Sequence, residues 1–127
     1  MMPLSYVIDK KNRLVLVTAT GVLTVDEILE FRRQFTSDPD FDPNFSQLGD
    51  MSGVTQVVLT ADEIKMLAET SPFSLTARRA FVGERPEVYG LARMFTTVRG
   101  LRGDQHTRVF RSRDEALAWL CKKDRAA

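Results

Sequence analysis

Three aspartates in one segment of the chain have the spacing at which a calcium loop begins. Asp38, Asp40 and Asp42 alternate as its first ligands do, but Pro43 stands where the loop needs glycine and Gly49 where it needs glutamate. Aspartates beside prolines also form turns, and the sequence favours this interpretation. We therefore expect no calcium site and no bound metal.

His106 and Cys121 are the only histidine and the only cysteine in the chain of 127 residues. One histidine cannot supply the ligands of a zinc site, and one cysteine excludes an internal disulfide. Neither a glycine-rich phosphate loop nor a Gly-x-Ser-x-Gly nucleophile motif occurs. Because no nucleophile and base can be named, we expect a protein that is not an enzyme and has no cofactor, with His106 in a surface loop.

Asp50 and Ser52 follow an apolar segment that is typical of a strand. Ligands of open α/β folds bind where strands end, so these two side chains are candidates for contact with a protein partner or a small polar ligand. The simpler interpretation, which we favour, is that Asp50 caps a local turn formed by Ser52 and Gly53.

The elements that position these residues include three helices whose starts are marked by capping boxes at 24–27, 60–63 and 112–115. In each box a hydroxyl can accept the N3 N–H, while a glutamate can accept the N-cap N–H. Helix capping therefore explains Thr60 and Glu63, and both also remain candidates for contact with a partner.

Apolar residues at helical spacing follow each box and predict the buried face of each helix. These residues are Val25, Ile28, Leu29 and Phe35, then Ile64, Leu67 and Ala68, and finally Leu117, Leu120 and Cys121. A further helix is predicted to begin near Pro86, because proline suits a first helical turn, and to end at Gly100 and Gly103.

Five segments, at 5–9, 13–19, 45–51, 79–83 and 107–111, are typical of strands. The first two are separated by a short turn and should pair as a hairpin. A helix follows each of the last four, as in parallel crossover units. The predicted fold class is α/β, with the order β-β-α-β-α-β-α-β-α. We expect one domain over residues 1–127, in which helices pack on a five-stranded mixed sheet.

Composition bounds the function in broad terms. The chain is 43% hydrophobic and 28% charged, and it contains no apolar run near the length of about 20 residues that crosses a bilayer. No signal peptide is apparent at the start, so we expect a cytoplasmic protein without a membrane span.

The two halves of the chain differ in charge. Residues 1–63 hold 5 Lys and Arg against 10 Asp and Glu, and residues 64–127 hold 13 against 7. This asymmetry indicates either a basic face for an anionic partner or two halves that attract each other.

The segment Gly49-Asp50-Met51-Ser52-Gly53-Val54 resembles the Asp-Leu-Ser-Gly-Val strand edge of STAS domains. The rest of the chain is similar to the SpoIIAA-like, or STAS/Sec14-like, subgroup over essentially its whole length. That similarity is carried by Gly21 with the box at Thr24, by residues 38–43, by Arg79-Ala80, by residues 90–95, by Val109-Phe110 and by residues 115–120.

The resemblance implies a SpoIIAA-like fold and a regulatory role. Anti-sigma factor antagonists of this class carry a phosphorylatable serine in an Asp-Ser-Ser-Gly turn, and this chain has Gln56-Val57-Val58-Leu59-Thr60-Ala61 at that place. The phosphoserine turn is therefore missing. Thr60 lies near the corresponding position, and phosphorylation there stays open because phosphate is tolerated electrostatically at a helix N-cap.

Two functions lead, and an enzyme comes third because no nucleophile and base can be named. The first is a non-enzymatic regulatory or protein-interaction module that docks an unidentified protein around Asp50 and the second capped helix. The alternative, implied by the Sec14-like resemblance, is a carrier of a small apolar or amphipathic, lipid-like ligand between helices and sheet. Its pocket would be lined by Met66, Phe73, Met94 or Phe95. The candidate partner- or ligand-binding residues are Asp50, Ser52, Thr60, Glu63, Arg93 and Met94.

Arginine dominates the basic half of the chain, and its planar fork suits phosphate or carboxylate recognition. These residues are Arg78, Arg79, Arg93, Arg99, Arg102 and Arg108. Nucleic-acid binding is not expected, since most of the neighbouring aromatics fall on predicted core faces. A solvated or interface-forming surface is the simpler interpretation, and a homodimer is expected if Phe73, Tyr89 or Trp119 is exposed.

Overall fold

The computed structural model of this chain describes residues 4–121, in which four helices pack on a mixed sheet. The elements are β1 (Leu4–Asp9), β2 (Leu14–Thr24), α1 (Val25–Thr36), β3 (Ser46–Val58), α2 (Ala61–Glu69), β4 (Arg79–Val82), α3 (Pro86–Leu101), β5 (Thr107–Phe110) and α4 (Arg113–Cys121). This order confirms the order predicted from caps, breakers and periodicity.

The five strands lie side by side in chain order. β1 runs antiparallel to β2, and every later neighbouring pair is parallel. A short turn suffices for the antiparallel pair, whereas each parallel pair needs a crossover, which α1, α2 and α3 provide. The predicted hairpin and crossover units are therefore confirmed.

Helices cover the two faces of the sheet unequally. On one face, Val15 and Val17 of β2 pack in a core with Phe31 and Phe35 of α1 and with Ala92 of α3. α2 lies on this same side, where it packs against α3. Among the described residues, the side of the sheet beneath these three helices therefore has the larger core.

The opposite face of the sheet is covered by α4. Leu14, Leu48 and Ala80 form a second core with Ala116 and Leu120. β2 therefore has apolar residues on both faces, as its sequence predicts for a central strand.

β2 and β3 extend well beyond the predicted strands and pair with each other as far as Thr24 and Val58. Two irregularities in the register, near Thr18 and near Gly21, add residues to β3 and bend this projecting ribbon. Gly21 has a φ of +71°, a conformation that glycine adopts at little cost. Of the segment 56–61, which the resemblance aligns with a regulatory turn, residues 56–58 are therefore strand in this chain.

The predicted helix starts are confirmed. The Glu63 N–H donates to Thr60 Oγ1 at 3.1 Å, and the Thr60 N–H donates to Glu63 Oε1 at 2.8 Å, which completes the capping box of α2. In α1 the Glu27 carboxylate accepts from the Thr24 hydroxyl instead of from the backbone. Thr24 is also the last residue of β2, so its backbone already belongs to the sheet.

Some expectations about helix ends and faces were wrong. α3 continues through Gly100 to Leu101, because helical geometry tolerates a glycine that no other feature forces to break it. Gly103, with a φ of +98°, follows the C-cap Arg102 and ends the helix as predicted. Leu29 and Cys121 are exposed. In α4 the buried residues are Ala116 and Leu120, so the inward face lies one position away from the one predicted.

Candidate functional site

A cavity of about 110 Å³ lies between the sheet and the helices α1, α2 and α3. Its wall is largely apolar and contains five phenylalanines from four parts of the chain. They are Phe31, Phe35, Phe73, Phe81 and Phe95. Such a concave apolar site with few polar groups is the usual form of a small-ligand pocket.

Small residues help to leave this space open among the large rings. Ala19 of β2, Gly49 of β3 and Ala92 of α3 all contribute to the wall. A Cβ atom at Gly49 would lie 2.8 Å from the Phe81 ring on the neighbouring strand, closer than real Cβ contacts. Gly49 therefore allows Phe81 to lie flat against β3.

The most unusual group in the wall is the guanidinium of Arg79, at the start of β4. Arg79 is only 3% exposed. Its Nε donates to Gln47 Oε1 at 3.0 Å, and its Cζ lies 5.0, 5.4 and 5.1 Å from the ring centroids of Phe73, Phe81 and Phe95. Three aromatic rings thus surround the cation and attract it electrostatically.

One buried nitrogen of Arg79 has no acceptor. The Nη1 atom is buried and makes no hydrogen bond to any described residue. A buried donor without a partner costs about 1–3 kcal/mol, and more when the group is charged. Native structures leave few such groups, so each one requires an explanation.

A second buried arginine, Arg99 of α3, is fully paired. Its Nε lies 3.0 Å from Asp104 Oδ2, with side chains 3% and 0% exposed. Asp104 also accepts the Thr107 hydroxyl at 2.7 Å and the His106 N–H at 2.8 Å. The remaining guanidinium nitrogens of Arg99 donate to main-chain carbonyls, among them Phe73 O at 3.3 Å. This pair anchors the segment that carries Phe73 into the cavity wall.

A third arginine, Arg32 of α1, is partly exposed at the cavity wall. It donates to Leu67 O at 2.7 Å and to Thr70 Oγ1 at 3.1 Å. Desolvation, with repulsion from Arg99, lowers the pKa of Arg32 to about 10. The arginine therefore adds positive charge to a region that already contains two buried guanidinium groups.

The pKa of Arg79 is lowered well below its ordinary value. Desolvation by burial is the main cause, repulsion from Arg99 and Arg32 adds to it, and Asp104 acts in the opposite direction. Three cations thus face a single carboxylate. Arginine nevertheless keeps its proton in proteins, so the positive charge of Arg79 stays in the wall. Asp50 contributes a carboxylate to the same wall, and that carboxylate already pairs with Arg113.

Asp50 and Ser52 lie close together in the bulged part of β3, and their contacts are mostly local. The Ser52 N–H donates to Asp50 Oδ1 at 3.0 Å, and the Ser52 hydroxyl makes a short hydrogen bond to the same oxygen. Arg113 Nη1 of α4 contacts Asp50 Oδ2 at 2.8 Å. Partial burial raises the pKa of Asp50, but the bonds from Ser52 and Arg113 outweigh it and lower the pKa overall. The expected local capping is therefore found, within a bulge.

The other predicted binding residues do not gather at the cavity. Thr60 and Glu63 bond to each other in the capping box of α2. Arg93 is exposed, where it stacks on Tyr89, and Met94 lies outside the cavity wall. The structure therefore does not assemble these four residues into one site.

Of the four side chains predicted to line a pocket, Phe73 and Phe95 do so, whereas Met66 and Met94 do not. Helix phase explains the difference in α3, whose buried residues are Val88, Ala92, Phe95 and Arg99. This face places Phe95 inward and turns the neighbouring Met94 toward α2 and away from the cavity.

Sequence reasoning missed the polar groups of the site. Arg79 and Arg99 were interpreted as part of a basic surface, and neither Gln47 nor Asp104 was singled out. A signal existed for Arg99, because it follows Phe95 by four positions and so shares the inward face of α3. For Arg79, the only sequence signal of burial was its position in an apolar strand.

Solved structures resemble this arrangement. One is a crystal structure of an uncharacterized DUF3478-family protein with a SpoIIAA-like fold from Shewanella loihica, which superposes with a TM-score of 0.61 at 18% identity over 95% of this chain and 96% of the other. The chain has the SpoIIAA-like fold. A second structure with this fold is an anti-sigma factor antagonist from Mycobacterium paratuberculosis, with a TM-score of 0.60 at 16% identity over 94% and 95% of the two chains.

No protein-family model and no curated protein matches the sequence. Among residues 4–121 no helix has both the length and the apolar character of a membrane span. The same residues contain no cluster of three or more His, Cys, Asp or Glu side chains that could hold a metal ion.

Proposed function

We propose that this chain is a non-enzymatic binding module of the STAS type whose cavity carries a small apolar or amphipathic ligand. The observation that supports this function is the cavity of about 110 Å³ walled by five phenylalanines. An engineered apolar cavity of about 150 Å³ binds benzene. The expected ligand therefore presents one ring or a short branched chain to the cavity.

The size of the cavity narrows the carrier hypothesis. A lipid with two long chains does not fit the volume beneath α1, α2 and α3, whereas a molecule of about six to nine heavy atoms is comparable with benzene. Ile28, Arg32 and Leu59 are among the partly exposed residues of the wall, and we expect a ligand to enter beside such residues.

A cavity-filling substitution tests the proposal. We expect Ala92→Leu to abolish toluene binding, because the larger side chain occupies the space that the ligand needs. Ala118→Leu is the matched control, since Ala118 is an exposed helical alanine outside the wall. Binding is followed by NMR titration, and native mass spectrometry of protein purified from cells shows whether an extra mass is retained. Equal toluene binding by the wild type and Ala92→Leu would contradict the proposal.

A protein-interaction module is the second candidate, and one surface favours it. Val22 and Val58 are 43% and 49% exposed, and they lie at the end of the β2–β3 ribbon, close to Thr60. The structural neighbour described as an anti-sigma factor antagonist also supports a partner of this kind. Affinity capture should then recover a discrete protein that Val58→Lys or Glu63→Lys loses and Val7→Lys retains.

We place docking second because the polar candidates are already engaged. Asp50 bonds Ser52 and Arg113, and Thr60 bonds Glu63, so a partner would have to replace these contacts. Loss of the captured protein on Asp50→Ala would support the docking surface, and an unchanged capture profile would count against it.

A further inference from the structure

We propose that the ligand of this cavity is a small monocarboxylic acid, whose carboxylate pairs with the guanidinium of Arg79 while its apolar body contacts the phenylalanines. This inference rests on the proposed function and names the chemical class of the ligand. Its first support is charge. Arg32 and Arg79 both line the cavity, whereas the carboxylates of Asp50 and Asp104 are already paired with Arg113 and Arg99.

The second support is the free donor on Arg79. Nε is occupied by Gln47, and Nη1 has no acceptor among the residues that the structure describes. A carboxylate oxygen at Nη1 would form a charge-assisted hydrogen bond, which is shorter and stronger than a neutral one. The ligand would thus remove the cost of the unpaired donor as well as neutralise the cation.

The aromatic rings around Arg79 define how the carboxylate must enter. Nη1 has almost no exposed surface, and the rings of Phe81 and Phe95 contact each other edge to face with centroids 5.2 Å apart. A carboxylate therefore reaches Nη1 only if one of these rings moves aside. Rings that pack beside a cavity have space into which they can turn.

The polarity of the wall selects a singly charged ligand. A phosphate with two charges would need several donors to offset its desolvation, because burial of an unpaired charge is strongly unfavourable. Here the unpaired N–H groups belong to one singly charged guanidinium, and most of the wall is apolar. A carboxylate matches both the single charge and the planar geometry of guanidinium.

A purely structural role for Arg79 is the competing explanation. Three aromatic faces and Gln47 could stabilise the cation without any ligand. The two explanations differ in what a ligand should do. A structural arginine would give acids no advantage over neutral molecules of the same shape.

Benzoate and toluene separate these explanations, because they share a ring and differ in the carboxylate. Titrations use the full chain, followed by NMR or calorimetry. We expect Arg79→Met to weaken benzoate binding roughly tenfold to a hundredfold, the effect of losing one charge-assisted hydrogen bond. Toluene binding should change by less than about threefold. Arg111→Met is the matched control, since Arg111 is an exposed arginine that also lies over an aromatic ring, that of Tyr89, outside the wall, and it should change neither affinity.

Each outcome decides between the proposals. If the wild type binds neither probe, the cavity function itself fails. If it binds toluene and not benzoate, or if Arg79→Met weakens both probes equally, the carboxylate inference fails and the cavity function survives. Should Arg79→Met not fold, the wild type labelled at arginine provides the answer. The guanidinium resonance in contact with the Phe73 and Phe95 rings must shift with benzoate and not with toluene.

Discussion

Asp104→Asn should destabilise the protein strongly, because it leaves a buried cation without its anion. Asp104 is fully buried and pairs with Arg99, which is 3% exposed. Removing one member of a buried ion pair costs about 3–5 kcal/mol. The hydrogen bonds of Arg99 to Ala68 O and Phe73 O are long, at 3.5 and 3.3 Å, and cannot replace the carboxylate.

The local hydrogen bonds of Asp104 support the same magnitude. Its two oxygens accept from Arg99, from the Thr107 hydroxyl and from the His106 N–H. An asparagine has one acceptor oxygen, and its NH2 group faces a donor in either orientation. At least one buried donor therefore loses its acceptor, which adds to the cost of the unpaired guanidinium.

Urea unfolding measures this effect, with Glu30→Gln as the control. Glu30 forms an exposed ion pair with Arg33, one helical turn away, and such pairs are worth about 0.3–0.5 kcal/mol. We expect the free energy of unfolding to fall by about 3–5 kcal/mol for Asp104→Asn and by less than about 0.5 kcal/mol for Glu30→Gln. A loss below about 1 kcal/mol in Asp104→Asn would refute the assignment of a buried, desolvated pair.

Two further predictions concern the helix cap and the bulge in β3. Thr60→Ala should lower the free energy of unfolding by about 1 kcal/mol, since it removes the N-cap acceptor of α2. Thr55→Ala, an exposed threonine in β3, should cost less than half as much in the same urea titration. The lowered pKa of Asp50 means that the fold favours its carboxylate form. Its contribution is present above the unfolded pKa of about 3.9 and is lost as the pH falls through the lower folded value. The stability difference between the wild type and Asp50→Asn should therefore shrink between pH 7 and about pH 3, and a constant difference would contradict the ion pair.

The charge asymmetry of the sequence finds only a partial explanation in the fold. Among residues 4–121, Arg113 with Asp50 is the one ion pair that joins the acidic and basic halves. The other pairs, such as Arg99 with Asp104, lie within one half. Attraction between the two halves therefore explains little of the charge asymmetry. Part of the positive excess of residues 64–127 consists of the buried arginines Arg79 and Arg99.

The sequence predicts a homodimer if Phe73, Tyr89 or Trp119 is exposed. Phe73 is buried, and Tyr89 and Trp119 are half-buried. The homodimer stays a prediction, as does phosphorylation of Thr60. The hydroxyl of Thr60 is accessible on an exposed residue, although it already accepts a backbone N–H.

The sequence by itself determined the order of elements and the starts of the helices. The cap at Thr60 depends on hydrogen bonds to Glu63, three positions away, and the crossover order depends on alternating strand and helix patterns. These interactions are local, so residue types at fixed spacing are enough to predict them. The same holds for the turns formed by Asp38 and Asp42, which accept N–H groups two residues ahead.

Only the tertiary structure decided which residues form the site. Arg79 and Gln47 are 32 positions apart, and they meet because β3 and β4 are parallel neighbours. Whether Arg79 is solvated or enclosed by rings depends on which side chains of the helices turn toward it. In α3, a shift of one position separates Phe95 in the cavity wall from Met94 outside it. Burial, and with it the unpaired charge beside the cavity, is a property of long-range packing that local sequence patterns do not contain.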